Sequence, residues 1–217
     1  MAKILWDQTG ERTYETGIDH GVLYQKQADG SYTDGVAWNG LTGVTQSPSG
    51  AEPSPIYADN IKYLTLMSAE EFGGTIEAYG SPIEFDVNDG TASPLEGLTI
   101  GQQPRKPFGF SYRTILGNDT DKNEFGYNLK LVYDALAAPS EKAYATINES
   151  PEAMTLSWTF TTTPVEVAGF KPTAILTVNS TVFTAAKMKA LEDVLYGTAT
   201  LEARLPLPAE VITLLTA

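Results

Sequence analysis

The apolar and polar positions along this chain alternate mostly with the period of a β-strand. The cleanest stretch reads MTLSWTFTTTP. Met154, Leu156, Trp158 and Phe160 point one way, and Thr155, Ser157, Thr159 and Thr161 point the other. An apolar face backed by a hydroxyl face predicts a half-buried strand, and Pro164 ends it because proline cannot donate to a ladder. PFGFSYRTIL and FGYNLKLVYD alternate in the same way: Phe108, Phe110 and Tyr112 share a face, as do Phe125, Tyr127, Leu129, Leu131 and Tyr133. Such an aromatic face serves either sheet packing or a sugar-binding platform. GVLYQK (residues 21–26), followed by the turn-rich ADGSYTDG, predicts an early hairpin. Residues 63–80, PIEFDV and TAILTV add further strands.

Helical patterns are few. SEKAYATIN predicts a short helix capped by Ser140. TAAKMKALEDVLYG predicts a better one, with Met188, Leu191 and Leu195 on one face and Gly197 just past its end. LPLPAEVITLLTA predicts a last helix opened by Pro208, so residues 184–217 read as a C-terminal helical segment. The fold class is mainly β: a sandwich or barrel with one to three short peripheral helices, in one domain spanning residues 1–217. Residues 38–61 differ, being rich in Gly and Pro with little periodicity. They read as a long loop, and long loops in compact domains are often functional.

The stretch GNDTDKNEFG places Asp119, Asp121 and Asn123 at alternate positions, as a calcium loop does. The rest of that motif fails. Glu124 stands where Gly must turn the chain, Lys130 stands where a bidentate Glu must bind, and the flanks read as strands. A polar turn between two strands accounts for the same residues, leaving at most a weak surface cation site.

Composition narrows the chemistry. The 217 residues include no Cys, which excludes disulfides, thiolate metal sites and cysteine nucleophiles, and His20 is the single histidine. No apolar run is long enough for a membrane span and the N-terminus does not read as a signal peptide, so synthesis and folding in a cytoplasm are expected. The net charge is −13, and residues 52–100 hold nine acids against one base, Lys62. Such a surface repels nucleic acid phosphates. Carboxylate pairs such as Glu70 with Glu71, or Glu84 with Asp86, and the Asp19–His20 pair read as surface charge and turn residues. Neither the glycines near residue 43 nor the basic PRKP spot has phosphate-loop spacing. No catalytic residue, cofactor or metal is expected.

Four long stretches then acquire a common meaning: GERTYETGIDHGVLY, VAWNGLTGVTQSPSGAEPSPIYADNIKYLTLMSAEEFGGTIEAYG, KPFGFSYRTILGNDTDKNEFGYNLKLVYDA and SPEAMTLSWTFTTTPVEV. In this order they resemble the major tail protein, or tail tube protein, of long-tailed, non-contractile phages (siphoviruses) of Gram-positive bacteria. The resemblance runs from Gly10 to about Thr198. It implies a non-enzymatic virion protein, made in the host cytoplasm and residing in the tail. Its copies close into hexameric rings, which stack into a tube around the tape-measure protein, meet tail terminator and distal tail proteins at the ends, and pass genomic DNA during ejection. Loops and an N-terminal arm reach between subunits, and the extra C-terminal immunoglobulin-like domain of some relatives is not expected. In that setting Glu70, Glu71, Glu77, Glu84 and Asp86 are candidates to line the lumen. Trp38, Leu41, Ile56 and Tyr57 are candidate anchors of an inter-subunit loop. Two other classes are a sugar-binding β-sandwich adhesin and, further off, a carboxylate glycosidase. A tube from a phage-like particle without a genome is a variant of the first reading.

Overall fold

The computed structural model describes residues 3–147, 149 and 153–216. Its strands are β1 (Thr13–Lys26), β2 (Tyr32–Ala37), β3 (Leu41–Gln46), β4 (Ser49–Gly50), β5 (Pro53–Ala58), β6 (Ile61–Met67), β7 (Glu70–Glu71), β8 (Gly73–Ala78), β9 (Ala92–Leu95), β10 (Leu98–Ile100), β11 (Phe108–Asn118), β12 (Lys122–Ala137), β13 (Leu156–Thr162) and β14 (Ile175–Asn179). A 3-10 helix spans Ile83–Val87, and two α-helices, α1 (Ala185–Tyr196) and α2 (Pro208–Thr216), follow the strands. The chain is mainly β, as its periodicity predicts.

The principal sheet is antiparallel, in the order β2-β1-β11-β12-β13-β8-β3, with β14 also paired to β12. Strand β12 belongs to two layers. Residues 128–132 pair with β14, and residues 135–137 pair with β13. Beyond that point β13, β8 and β3 curl back towards β1, whose Gly21 lies against Leu41 of β3, a Cβ there meeting the Leu41 side chain at 3.0 Å. The curl encloses one apolar core, built from Leu23, Trp38, Ile76, Phe85, Phe110, Trp158, Phe160 and their neighbours. A second core lies on the opposite face, where α1 and α2 cover Val22, Tyr24, Leu129, Leu131 and Tyr133.

The alternation on β11 explains how one strand serves both cores. Phe108, Phe110 and Tyr112 enter the first core, while Gly109 and Ser111 face the second. The small residues make room for tyrosines. A Cβ on Gly109 would meet Leu205 at 2.6 Å and Tyr32 at 2.8 Å, and Tyr24 shares a 3.1 Å hydrogen bond with Ser111. On β12 the side-chain period slips at Asp134. Leu131 and Tyr133 face the helices, yet Ala135 and Ala137 face the other core. Asp134 is left-handed (φ 48°), and the β11 partners jump from Val132 to Ala135 there, which is a bulge. Its carboxylate pairs with Lys26 at 2.6 Å.

Three local expectations change. PIEFDV forms the 3-10 helix rather than a strand, because Phe85 must turn inward to cap the first core. SEKAYATIN is not helical over its described residues. The Ser140 hydroxyl donates back to Ala138 instead of capping, and Tyr144 and Ile147 are exposed, so no packed face supports a short helix there. Residue 148 of that segment lies outside the described residues. Residues 38–61 are largely strand rather than loop, because β3 is held by β8 and β5 by β6. The C-terminal helices form as expected. Thr184 caps α1, Met188, Leu191 and Leu195 are buried on it, and Gly197 follows with φ 76°.

The second core predicts an alkaline transition. Burial pushes the hydroxyls of Tyr24 and Tyr133 up, and burial with the nearby Asp134 carboxylate pushes Tyr32 up to about 12. Below the ordinary value of 10.0 these groups are neutral whether folded or not. Above it the unfolded chain releases protons that the folded chain keeps, so stability is full below pH 10 and falls as pH rises towards about 12. Loss of the sheet's circular dichroism signal is expected in that window, together with a cooperative rise in the part of the tyrosinate absorbance that comes from the buried tyrosines. Ionisation of Tyr24, Tyr32 and Tyr133 with the sheet signal intact would contradict it.

Candidate assembly surfaces

Strands β5 and β6 form a hairpin that leaves the body of the protein. Its turn is Asp59-Asn60, both left-handed (φ 51° and 64°), the combination a two-residue type I′ turn needs. Every residue of both strands except Ala58 is exposed. The exposed residues include Ile56, Tyr57, Ile61, Tyr63, Leu64, Leu66 and Met67, at 40–69%. A free two-stranded hairpin is marginal in water, and a contiguous apolar patch on a soluble chain marks a binding surface. Pro53 and Pro55 have no N–H for the β6 ladder, so pairing is kept with both nitrogens on the outer edge, where they blunt it. The outer edge of β6 has no proline.

The base of this hairpin is clamped by the short β4–β7 ladder, Ser49 with Glu71 and Gly50 with Glu70. Gly50 is obligatory in that clamp, with φ 81° and a virtual Cβ 2.2 Å from the Ala69 carbonyl. Two smaller apolar projections accompany the hairpin. One is the β9–β10 turn, with Leu95, Leu98 and Ile100 exposed. The other is the N-terminal segment, with Ile4, Leu5 and Trp6 exposed.

The candidate residues fall in separate places. Of the four proposed anchors, Ile56 and Tyr57 sit on the projecting hairpin. Trp38 is 3% exposed and packs at 4.6 Å from Phe85 and 5.5 Å from Trp158 in its own core, with Leu41 half-buried against the same cluster. The five acids do not converge. Glu70 and Glu71 flank the hairpin base, and Glu77 lies on the far end of β8, six strand residues or about 20 Å beyond Glu71. Glu84 and Asp86 are on the 3-10 helix, where residues two apart do not share a face, so the carboxylate pair expected of a strand is not formed. Burial, then Asp89, raises the Asp86 carboxyl. Glu77 stands on the uncovered face of β3, β8 and β13, in register with Ser157 and beside Thr75 and Thr159, whose hydroxyls are 3.4 Å apart.

The sequence carries a signal for this hairpin, whose first strand falls in the stretch that reads as loop (residues 38–61) and whose second falls mostly in the strand-like residues 63–80. IYADNIKY places Asp-Asn, two residues tolerant of left-handed backbone, between apolar alternations. Residues Ile61, Tyr63, Leu64, Leu66 and Met67 follow from it.

The Asp119–Asn123 and Asp19–His20 motifs find their partners within the chain. Asp119 accepts from the Gly10 amide at 2.9 Å, Asn123 accepts from the Tyr14 hydroxyl at 2.8 Å, and Asn118 accepts from the amides of Thr120 and Asp121. The apparent calcium ligands thus hold a turn together. Asp19 is gripped by the Arg113 fork at 2.7 and 2.9 Å, which holds its carboxyl below the usual range against its partial burial. His20 sets its ring 5.8 Å from that of Tyr196, tilted by 48°, and contacts Asp19 at 3.0 Å. Arg113 also lies 4.8 Å over the Tyr127 ring, and Tyr127 donates to Glu192 at 2.6 Å. The aromatic face of β11 is buried, so it packs the core and offers no sugar platform.

No family model and no curated protein matches the chain. Among solved structures, it is similar to the SPP1 tail tube, whose structure combines solid-state NMR and cryo EM. Identity is 13%, covering 93% of this chain and 99% of that one, with a TM-score of 0.42.

Proposed function

We propose that this chain is a structural, non-enzymatic subunit that assembles with its own copies into the tail tube of a long-tailed phage. The sequence stretches that resemble tail tube proteins supply the class. The observation that carries the reading is the projecting β5–β6 hairpin, whose apolar side chains have no partner in the folded subunit among the described residues. Burying them against a neighbouring copy removes the exposure, and a contact between unlike surfaces closes into a ring or propagates as a filament. In this reading six copies form a ring and rings stack around the tape-measure protein. Terminator and distal tail proteins cap the ends, and DNA leaves through the bore.

The lumen lining follows from the same reading. The uncovered hydroxyl face of β3, β8 and β13 suits a wall that DNA slides past, since Thr and Ser hold no positive charge to grip phosphate. Glu77 is the acid on that face, and Glu70, Glu71, Glu84 and Asp86 extend the negative field along the subunit. Burial of Phe108, Phe110 and Tyr112 removes the β11 part of the aromatic platform that the adhesin reading needs.

Negative-stain electron microscopy of the concentrated protein, beside light scattering on dilution, tests the proposal. Hollow tubes or rings with six-fold end views are expected. A monomer at every concentration, also in the presence of tape-measure and initiator proteins, overturns it.

A further inference from the structure

The turn between β2 and β3 places Gly40 directly after Asn39. Asparagine is a thermolabile residue type. The residue that follows it and the hold on its side chain decide how labile it is. Both residues of this turn are exposed. Neither the Asn39 side-chain amide nor the Gly40 N–H takes part in a hydrogen bond among the described residues. Gly40 has no Cβ to shield its nitrogen, and it sits at φ 76°. The other described asparagines are protected. Hydrogen bonds hold the amides of Asn88, Asn118, Asn123 and Asn179, and Asn128 is buried. Asn60 is exposed in the β5–β6 turn, but the β-branched side chain of Ile61 crowds the nitrogen that follows it.

We propose that Asn39 is a site of spontaneous covalent modification in the folded subunit, through attack of the Gly40 nitrogen on the Asn39 side-chain carbonyl carbon. The peptide plane between the two residues can rotate with little displacement of its neighbours, because glycine accepts either sign of φ. The new C–N bond closes a succinimide ring. The bond to the side-chain nitrogen breaks, and that nitrogen leaves as ammonia with the proton given up by the Gly40 N–H. Water then opens the ring at either carbonyl. One opening leaves aspartate at position 39. The other leaves isoaspartate, in which the side-chain CH2 has become part of the main chain. Both products add a negative charge. The fold has no slack for the longer one. On one side Trp38 is fixed, its N–H donating to the Gly21 carbonyl at 2.8 Å and its Nε1 to the Gly80 carbonyl at 2.9 Å. On the other side the Gly40 carbonyl accepts from the Tyr79 N–H at 2.9 Å. An extra main-chain atom between two anchored residues loosens the seat of Trp38 in the first core. The modification belongs to the single subunit and does not depend on self-assembly.

The test is to incubate the unassembled chain for weeks at mildly alkaline pH, below the window in which the sheet is lost. Peptide mass spectrometry then reads the replacement of amide NH2 by OH at each asparagine, and an isoaspartate-specific methyltransferase reads the rearranged product. Conversion at Asn39 is expected to exceed that at Asn60 by roughly tenfold or more, since a β-branched side chain shields the attacking nitrogen at the second site. Isoaspartate should be among the products. Asn39→Gln has a longer side chain and closes its ring far more slowly. That variant should stay unconverted and keep its melting temperature over the same time. The parent chain should acquire a lower-melting fraction that grows with its isoaspartate content. Conversion at Asn39 no greater than at Asn60 overturns the proposal. So does conversion that appears only in urea, because the folded turn then keeps the Gly40 nitrogen away from the side chain. Isoaspartate at position 39 without a lower-melting fraction overturns the loosening of Trp38.

Discussion

A chain in which residues 53–67 are replaced by a two-residue Asn-Gly turn is expected to remain folded and to lose assembly. The junction is geometrically sound, because Pro53 and Met67 are cross-strand partners and the β4–β7 clamp below them stays intact. Little stability is at risk, since the deleted strands are exposed and belong to a separate two-stranded sheet. Exposed positions of this kind usually change stability by no more than about 0.5 kcal/mol each. Assembly stands differently. The hairpin presents seven large apolar side chains, and each stabilises by about 1.5–3 kcal/mol when fully buried. Even a quarter of that sum exceeds the ~1.4 kcal/mol that separates tenfold steps in affinity. The concentration at which tubes form should therefore rise at least tenfold, and out of practical reach if burial is complete. Light scattering with thermal melting checks both halves. Normal tubes, or a chain that no longer folds, would contradict this role for the hairpin.

Trp38→Ala is expected to act in the opposite way, on folding. An inter-subunit anchor at Trp38 would leave the isolated subunit's stability alone. The structure instead buries the indole among Phe85, Phe110 and Trp158 and has its Nε1 donate to the Gly80 carbonyl at 2.9 Å. Removing it leaves a cavity and an unpaired carbonyl, a loss of about 3–5 kcal/mol. That is a large part of the ~5–15 kcal/mol that holds a typical domain. Trp38→Phe keeps the aromatic contacts and loses the hydrogen bond, so its cost should be nearer 1–2 kcal/mol, about the worth of that bond plus some packing. Urea unfolding of the unassembled chain measures both. An alanine variant as stable as the parent would show that the indole packs elsewhere.

The contrast between Trp38 and Tyr57 shows where reading the sequence stops. Both lie in the Gly- and Pro-rich stretch and both look like anchors, yet one is core and the other is surface. Nothing local separates them. Trp38 is interior because β8 pairs with β13, far away in the chain, and β3 follows β8 over the same core. The same non-local pairing makes residues 41–46 a strand, turns PIEFDV into a cap over the core, and scatters acids that the sequence places close together. The slip at Asp134 is also invisible in the periodicity. It arises where β12 must leave β14 and take up β13, and the bulge lets its later residues face the other core.

By itself the sequence determined the elements whose causes are local. Alternation with period two sets β11, β12 and β13, and GVLYQK with the turn after it sets the end of β1. The 3.6-residue spacing of Met188, Leu191 and Leu195, with Thr184 before and Gly197 after, sets α1. Asn and Asp set the β11–β12 turn, since their side chains bond backbone amides a few residues away. The tertiary structure decided which apolar residues are interior and which project. That choice depends on which surfaces the folded sheet leaves without a partner, and burial is a property of the whole packing rather than of any stretch of chain.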